Sequence, residues 1–215
     1  MSVSSGRFAI WSAVVLLTAV VLVFAVIRVS TDLPLIVLGL PAATGSFEER
    51  YVGRPWPAYL HIVPGVLYLV GAPFQLSRGF RRRHLRLHRR MGRAVLSLGM
   101  VSGVFALAFG IPFSYGGFWQ SAATAVFGAY FLVALVLAYR AVRSRRIAAH
   151  RRWMIRAFAV GLGVGTIRLW IGVFVGAGGM TLQDAFAPAF WLGLGLHALA
   201  AELWLRRRPA APAVR

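Results

Sequence analysis

The sequence predicts an all-α protein: a polytopic transmembrane helical bundle of six spans with both termini cytoplasmic. Three observations carry this reading. First, hydrophobic residues make up 59% of the 215-residue chain and charged residues only 13%, against about 45–50% and about 25% in a soluble domain. Second, the mean hydropathy is +0.73, and the apolar residues are gathered into long runs. Third, all 24 basic residues are arginine, against five Asp and Glu, and they crowd into alternate connections between those runs. High hydrophobicity excludes intrinsic disorder, which pairs high charge with low hydrophobicity. The 23 Gly and 10 Pro follow no fixed period, so a collagen-like chain is excluded. The absence of cysteine removes disulfides, thiolate metal sites, iron–sulfur clusters and a cysteine nucleophile.

A membrane-crossing helix needs about 20 mostly apolar residues, each rising ~1.5 Å through ~30 Å of hydrocarbon. The first such run covers about 8–27. It exceeds the ~7–15 apolar residues of a cleaved signal peptide and is read as a retained helix. Residues 35–40 are apolar but short and lie between Pro34 and Pro41; they are read as an interfacial or packed loop. The remaining spans are expected at about 58–76, 94–113, 118–139, 157–175 and 185–205. Residues 1–205 thus form one six-helix domain, and 206–215 a basic, disordered tail. Only helices and closed barrels satisfy their backbone in lipid, and the ten-residue alternation of a membrane barrel is missing.

Arg78, Arg81, Arg82, Arg83, Arg86, Arg89, Arg90 and Arg93 separate the second and third spans. Arg140, Arg143, Arg145, Arg146, Arg151, Arg152 and Arg156 separate the fourth and fifth. With Arg7 and the tail arginines, twenty of the 24 fall on one side; Arg28, Arg50 and Arg54 fall on the other with Asp32, Glu48, Glu49 and Asp184. The positive-inside rule makes the first side, and with it both termini, cytoplasmic, and the chain is read as an inner-membrane protein. These segments are expected to meet the lipid bilayer and its anionic headgroups. They lack the interleaved aromatic platform of a nucleic-acid site, so no nucleic-acid partner is expected. A homo-oligomer remains open.

The polar residues that orientation does not require are the candidate site. On the second span His61, Gly65, Tyr68, Ala72 and Gln75 recur at steps of four and three, which puts them on one inward face. On the fifth, Gly161, Gly165, Arg168, Gly172 and Gly176 do the same, a pattern that lets backbones approach closely. Arg168 lies ~16 Å above the cytoplasmic entry, where an arginine requires a buried partner or a watery cavity. His197 and Glu202 are the candidate partners. The phrases His88-Arg89-Arg90-Met91-Gly92-Arg93 and His150-Arg151-Arg152-Trp153-Met154-Ile155-Arg156 open the third and fifth spans, which sets the two histidines at one depth on the cytoplasmic rim.

Two histidines from separate helices at one depth suit the axial ligation of haem b, with His88 and His150 as metal ligands and Arg89, Arg151 and Arg156 near its propionates. That reading makes the protein a redox carrier. A polar path through His61, Gln75, Arg168 and Glu202 would instead make it a transporter of a small solute, ion or proton. The His/Arg rim equally suits a lipid headgroup or an anionic quinone intermediate. His61 and His197 differ in depth by ~10 Å, which argues against a second haem. No hydrolase triad, nucleotide-binding loop or zinc-protease motif is present, and no catalytic residue is assigned.

The set His61, Gln75, Arg81, His88-Arg89, Gly92-Arg93, His150-Arg151-x-Trp153-Met154-x-Arg156 and Arg168 resembles the bacterial predicted-membrane-protein family called domain of unknown function 2306. The likeness runs over about 58–202, and the HR-x-WM-x-R phrase is its most specific part. The resemblance implies a multi-span bundle and points to His61, His88, His150, Arg156 and Arg168 as functional positions, with no established activity. Many members carry Asn near the place of His197, ahead of the Glu matching Glu202. This departure weighs against an essential role for His197 and against a four-histidine haem scheme.

Overall fold

A computed structural model describes residues 3–207. The chain order is α1 (Val3–Leu38), α2 (Glu49–Gly53), α3 (Pro55–Leu76), α4 (Arg78–Arg83), α5 (Leu85–Gly110), α6 (Gly117–Arg143), α7 (Ile147–Gly176) and α8 (Leu182–Arg206). No strand occurs among the described residues. Six of these helices are long and apolar enough to cross a membrane; five contain their expected spans, and the third span, expected to reach 113, ends with α5 at Gly110. The tail expected to be disordered lies, from residue 208 onward, outside the described residues; Arg206 is still helical.

Several helices outrun their hydrophobic spans. Helix α5 begins at Leu85 instead of near 94, and α7 at Ile147 instead of near 157. Hydropathy marks the part of a helix that crosses hydrocarbon. Arg, Leu, Met and Ala are good helix formers outside it, and no proline interrupts either extension. The Arg-rich connections are therefore mostly helical and very short. Ser77 alone joins α3 to α4, its Oγ accepting from the Phe80 amide at 3.3 Å as an N-cap. His84 alone joins α4 to α5, and residues 144–146 join α6 to α7, with Arg145 at φ 57°.

Residues 35–38, expected as loop, are the last turn of α1. Pro34 is accommodated inside this helix, and the stop comes at Gly39, whose φ of +64° is the left-handed turn that ends helices. The Leu40 amide then donates to the Leu35 carbonyl at 2.9 Å. The chain does not leave for solvent there. Residues 39–54 fold back over the mouth of the bundle, where Phe47 and Tyr51 pack against Phe109, Tyr115 and Phe186 with ring centroids 5.0–5.3 Å apart.

Helix α7 packs on α8, α6, α1 and α3, while α5 packs on α3 and α6. The inward row on α3 is as expected: Tyr68, Ala72 and Gln75 are buried, and Tyr68 is wedged between Gly99 of α5 and Gly161 of α7, its ring edge-on to Phe131 at 5.4 Å. The glycine row on α7 is used only in part. Gly165 meets the backbone of α1, a Cβ there lying 2.7 Å from the Leu17 carbonyl oxygen, whereas Gly172 and Gly176 face open space. Helices α7 and α8 approach closely at Gly163, which lies off the expected α7 row, and Gly193 of α8. Elsewhere the outward apolar side chains, such as Val15, Val26, Val63 and Val133, remain exposed as lipid-facing surface.

Candidate functional site

At the Arg-rich end, the first turns of α5 and α7 bring His88 and His150 within electrostatic reach of each other, with Arg81 and Arg89 beside His88. His150 Nδ1 lies 2.9 Å from the Ala138 carbonyl of α6. This contact fixes Nδ1 as the protonated nitrogen and leaves Nε2 as the lone-pair donor. His88 Nδ1 is buried without a hydrogen-bond partner, as are both amide atoms of Gln75 and the Tyr68 hydroxyl. Gln75 lies against Gly92, one turn beyond His88, where a Cβ would stand 3.2 Å from its Oε1. Interior polar groups left unsatisfied carry a desolvation cost of about 1–3 kcal/mol each.

The rest of the HR-x-WM-x-R phrase has a structural role. Arg156 was expected near the histidines, but its guanidinium is bound bidentately to Glu202 of α8, Nη2 to Oε2 at 2.9 Å. The Trp153 ring lies 4.5 Å from it, and Tyr130 donates to the same carboxylate at 3.2 Å. Arg152 donates to the Leu205 carbonyl at 3.1 Å, satisfying the end of α8. Met154 is buried, and Arg151 is exposed at the same end. Arg152 and Arg156, with Trp153 against the Arg156 guanidinium, thus knit the start of α7 to the end of α8, and His150 turns to the backbone of α6.

Neither expected partner of Arg168 reaches it. Glu202 is held by Arg156, and His197 Nε2 pairs with Thr166 Oγ1 at 2.8 Å. Depth along two helix axes had suggested the pairing, but the helices are rotated so that these groups face elsewhere. Arg168 instead lies among Tyr51, Arg28, Arg50 and His61 and over the Phe24 ring at 5.4 Å. His61 is fixed by Ser102 of α5, Nδ1 lying 3.0 Å from its carbonyl oxygen. Arg168 and His61 are therefore near each other, whereas Glu202 and Gln75 belong to other surroundings.

The charged residues that sequence reasoning assigned only to topology form the polar centre of this opposite end. The Arg28 guanidinium binds Asp32 at 2.9 Å, Glu48 at 2.9 Å and Thr31 at 2.6 Å. Asp32 is fully buried and also accepts from the Tyr59 hydroxyl at 3.1 Å. The i, i+4 spacing of Arg28 and Asp32 was the available signal, since such residues meet on a helix face. Arg50 donates to the Phe113 carbonyl at 3.2 Å and stands over Phe47, Tyr51, Tyr115 and Phe186 at 4.2–5.7 Å. Burial lowers the Arg50 pKa. For Glu48, burial acts upward, but the hydrogen bond and charge of Arg28 outweigh it and hold the carboxyl below its ordinary value.

Among the described residues no group of three or more His, Asp or Glu is placed to hold a bare metal ion. No curated protein and no solved structure matches the chain. One family model does match, over residues 58–205, from α3 to the end of α8. It takes in His61, Gln75, His88, His150, Arg156, Arg168 and Glu202, and leaves Arg28, Asp32, Glu48 and Arg50 outside. A six-helix apolar bundle with the HR-x-WM-x-R phrase at the head of α7 is thereby identified: the chain belongs to the predicted membrane protein family DUF2306, whose function is unknown.

Proposed function

We propose that the protein is an inner-membrane redox protein, with both termini cytoplasmic, that holds one haem b between His88 and His150. The observation that carries this reading is that His88 of α5 and His150 of α7 lie within electrostatic reach of each other at one end of the bundle, with His150 Nδ1 tied to the Ala138 carbonyl. A bis-imidazole site needs two neutral rings, each offering one nitrogen. His150 offers Nε2, and His88 has a buried ring nitrogen that no protein group satisfies. Hydrogen bonding of a ligand's other nitrogen to a carbonyl fixes its tautomer and raises its basicity. Arg81 and Arg89 provide guanidinium groups for carboxylates. Tyr68, wedged between Gly99 and Gly161, holds α5 and α7 apart. When bound, haem would supply a one-electron carrier at this end of the bundle.

The absorption spectrum of the detergent-purified protein tests the reading. A Soret band is expected, and it should be lost in His88→Ala and in His150→Ala while both variants keep a cooperative thermal transition. A colourless protein expressed with ample haem would overturn it.

A further inference from the structure

We propose that Arg50 and Arg168, with the Tyr51 hydroxyl beside both, form a binding site for a single oxyanion, a carboxylate or phosphate group, at the end of the bundle opposite the Arg-rich segments. The site rests on nothing from His88 or His150. Three guanidinium groups gather here from three elements: Arg28 on α1 and Arg50 on α2 share the Phe47 and Tyr51 rings, and Arg168 on α7, over Phe24 of α1 at 5.4 Å, lies within electrostatic reach of both. Arg28 and Arg50 stand over the same two rings, Phe47 at 5.1 and 4.2 Å and Tyr51 at 4.8 and 5.3 Å. Arg168 lies beside the hydroxyl of that tyrosine.

The chain has only five Asp and Glu side chains, and among the described residues none pairs with Arg50 or Arg168. Asp32 and Glu48 are both bound by Arg28. Glu49 and Asp184 are exposed, bonded to the Gly45 amide at 2.7 Å and to the Thr181 hydroxyl, and Glu202 belongs to Arg156. Aromatic faces stabilise a guanidinium without neutralising it, and Arg50 Nε is buried with no acceptor. The cluster of three arginines and two carboxylates therefore carries one excess positive charge, in an environment where an unneutralised arginine is costly. A monoanion balances it. Guanidinium donors arranged as forks match the two oxygens of a carboxylate or the edge of a phosphate. The folded-back segment carrying Phe47, Arg50 and Tyr51 supplies half of the site, so the anion would also fasten that segment over the mouth.

The group could arrive on a small free anion or on a phospholipid headgroup from the adjacent leaflet. The full-length protein in detergent distinguishes them. Thermal unfolding, read by tryptophan fluorescence, is measured in sodium acetate or sodium phosphate against sodium chloride at equal ionic strength. Native mass spectrometry reads any retained phospholipid. A free-anion site should raise Tm by about 2 °C or more over chloride; a headgroup site should show one phospholipid per chain. Either signal should disappear in Arg168→Gln and Arg50→Gln, weaken in Arg168→Lys, which keeps the charge without the fork, and persist in Arg143→Gln at the other end. The proposal is overturned by the absence of both signals in the wild type, or by equal signals in the wild type and Arg168→Lys. It is likewise overturned if Arg50→Gln binds as the wild type does.

Discussion

Replacing Asp32 by Asn tests the buried ion pair on which the opposite end of the bundle is built. The substitution keeps the shape of the side chain and an oxygen for the Tyr59 hydroxyl, but removes the charge that meets Arg28 at 2.9 Å. Taking one partner from a buried pair costs about 3–5 kcal/mol, because the other charge stays buried and uncompensated. Arg28 keeps Glu48, whose side chain is 35% exposed, so the lower end applies, about 3 kcal/mol. For a chain of this size each 1 kcal/mol moves Tm by about 2–4 °C, giving a fall of about 6–12 °C. Thermal unfolding in detergent followed by tryptophan fluorescence measures it. The double variant Arg28→Met, Asp32→Leu should fall less than the sum of the single variants, since an apolar pair has no charge to bury. The reasoning is refuted by an Asp32→Asn transition within about 2 °C of the wild type, or by a double variant as unstable as the sum.

Gly163→Ala and Gly193→Ala should each lower stability by about 1–3 kcal/mol, because the new Cβ would stand 2.8 Å from the Gly193 carbonyl oxygen in one and 2.9 Å from the Ile167 nitrogen in the other. Gly172→Ala, with nothing within 4 Å, should instead stabilise by about 0.4–1 kcal/mol, and the same melting assay ranks the three. Glu202→Gln should cost about 1–2 kcal/mol, between the surface and buried limits for ion pairs, since its side chain is 34% exposed and that of Arg156 14%; a double-mutant cycle with Arg156→Gln should return most of that loss as coupling. The depressed pKa of Glu48 makes its contribution present above the ordinary value of 4.5 and lost as pH falls through the lower folded value. An acid titration of Tm should therefore decline in that window, and Glu48→Gln should flatten the decline.

The six spans could be read directly, since a run of about 20 apolar residues has few alternatives to crossing lipid. Helix ends were less legible. At α5 and α7 the hydropathy falls where the arginines begin, yet helix propensity does not, so the helices continue to Leu85 and Ile147. The α3 row from His61 to Gln75 was visible because residues on one face repeat at steps of three and four. That period gives a face but not the neighbour it meets. Arg168 is the clearest case: its depth was estimated well enough to require a partner, and both partners proposed for it are held by other residues. Arg156, grouped with the histidines by adjacency, is six residues beyond His150, which turns it about a third of the way round the helix, and it pairs with Glu202.

The sequence by itself determined that this is an all-helical membrane protein with six candidate spans, and which of its many arginines and histidines orientation leaves unexplained. Those properties are sums over neighbouring residues measured against their solvent, so they survive without knowledge of the fold. Tertiary structure decided which groups meet: Arg156 with Glu202, His197 with Thr166, His61 with Ser102, and Arg28 with Glu48 of the folded-back segment 39–54. Such pairings depend on the rotation of each helix about its axis and on where a loop returns. Both are fixed by close packing at particular points, such as Gly163 against Gly193 and Tyr68 between Gly99 and Gly161, and no local pattern along the chain encodes them.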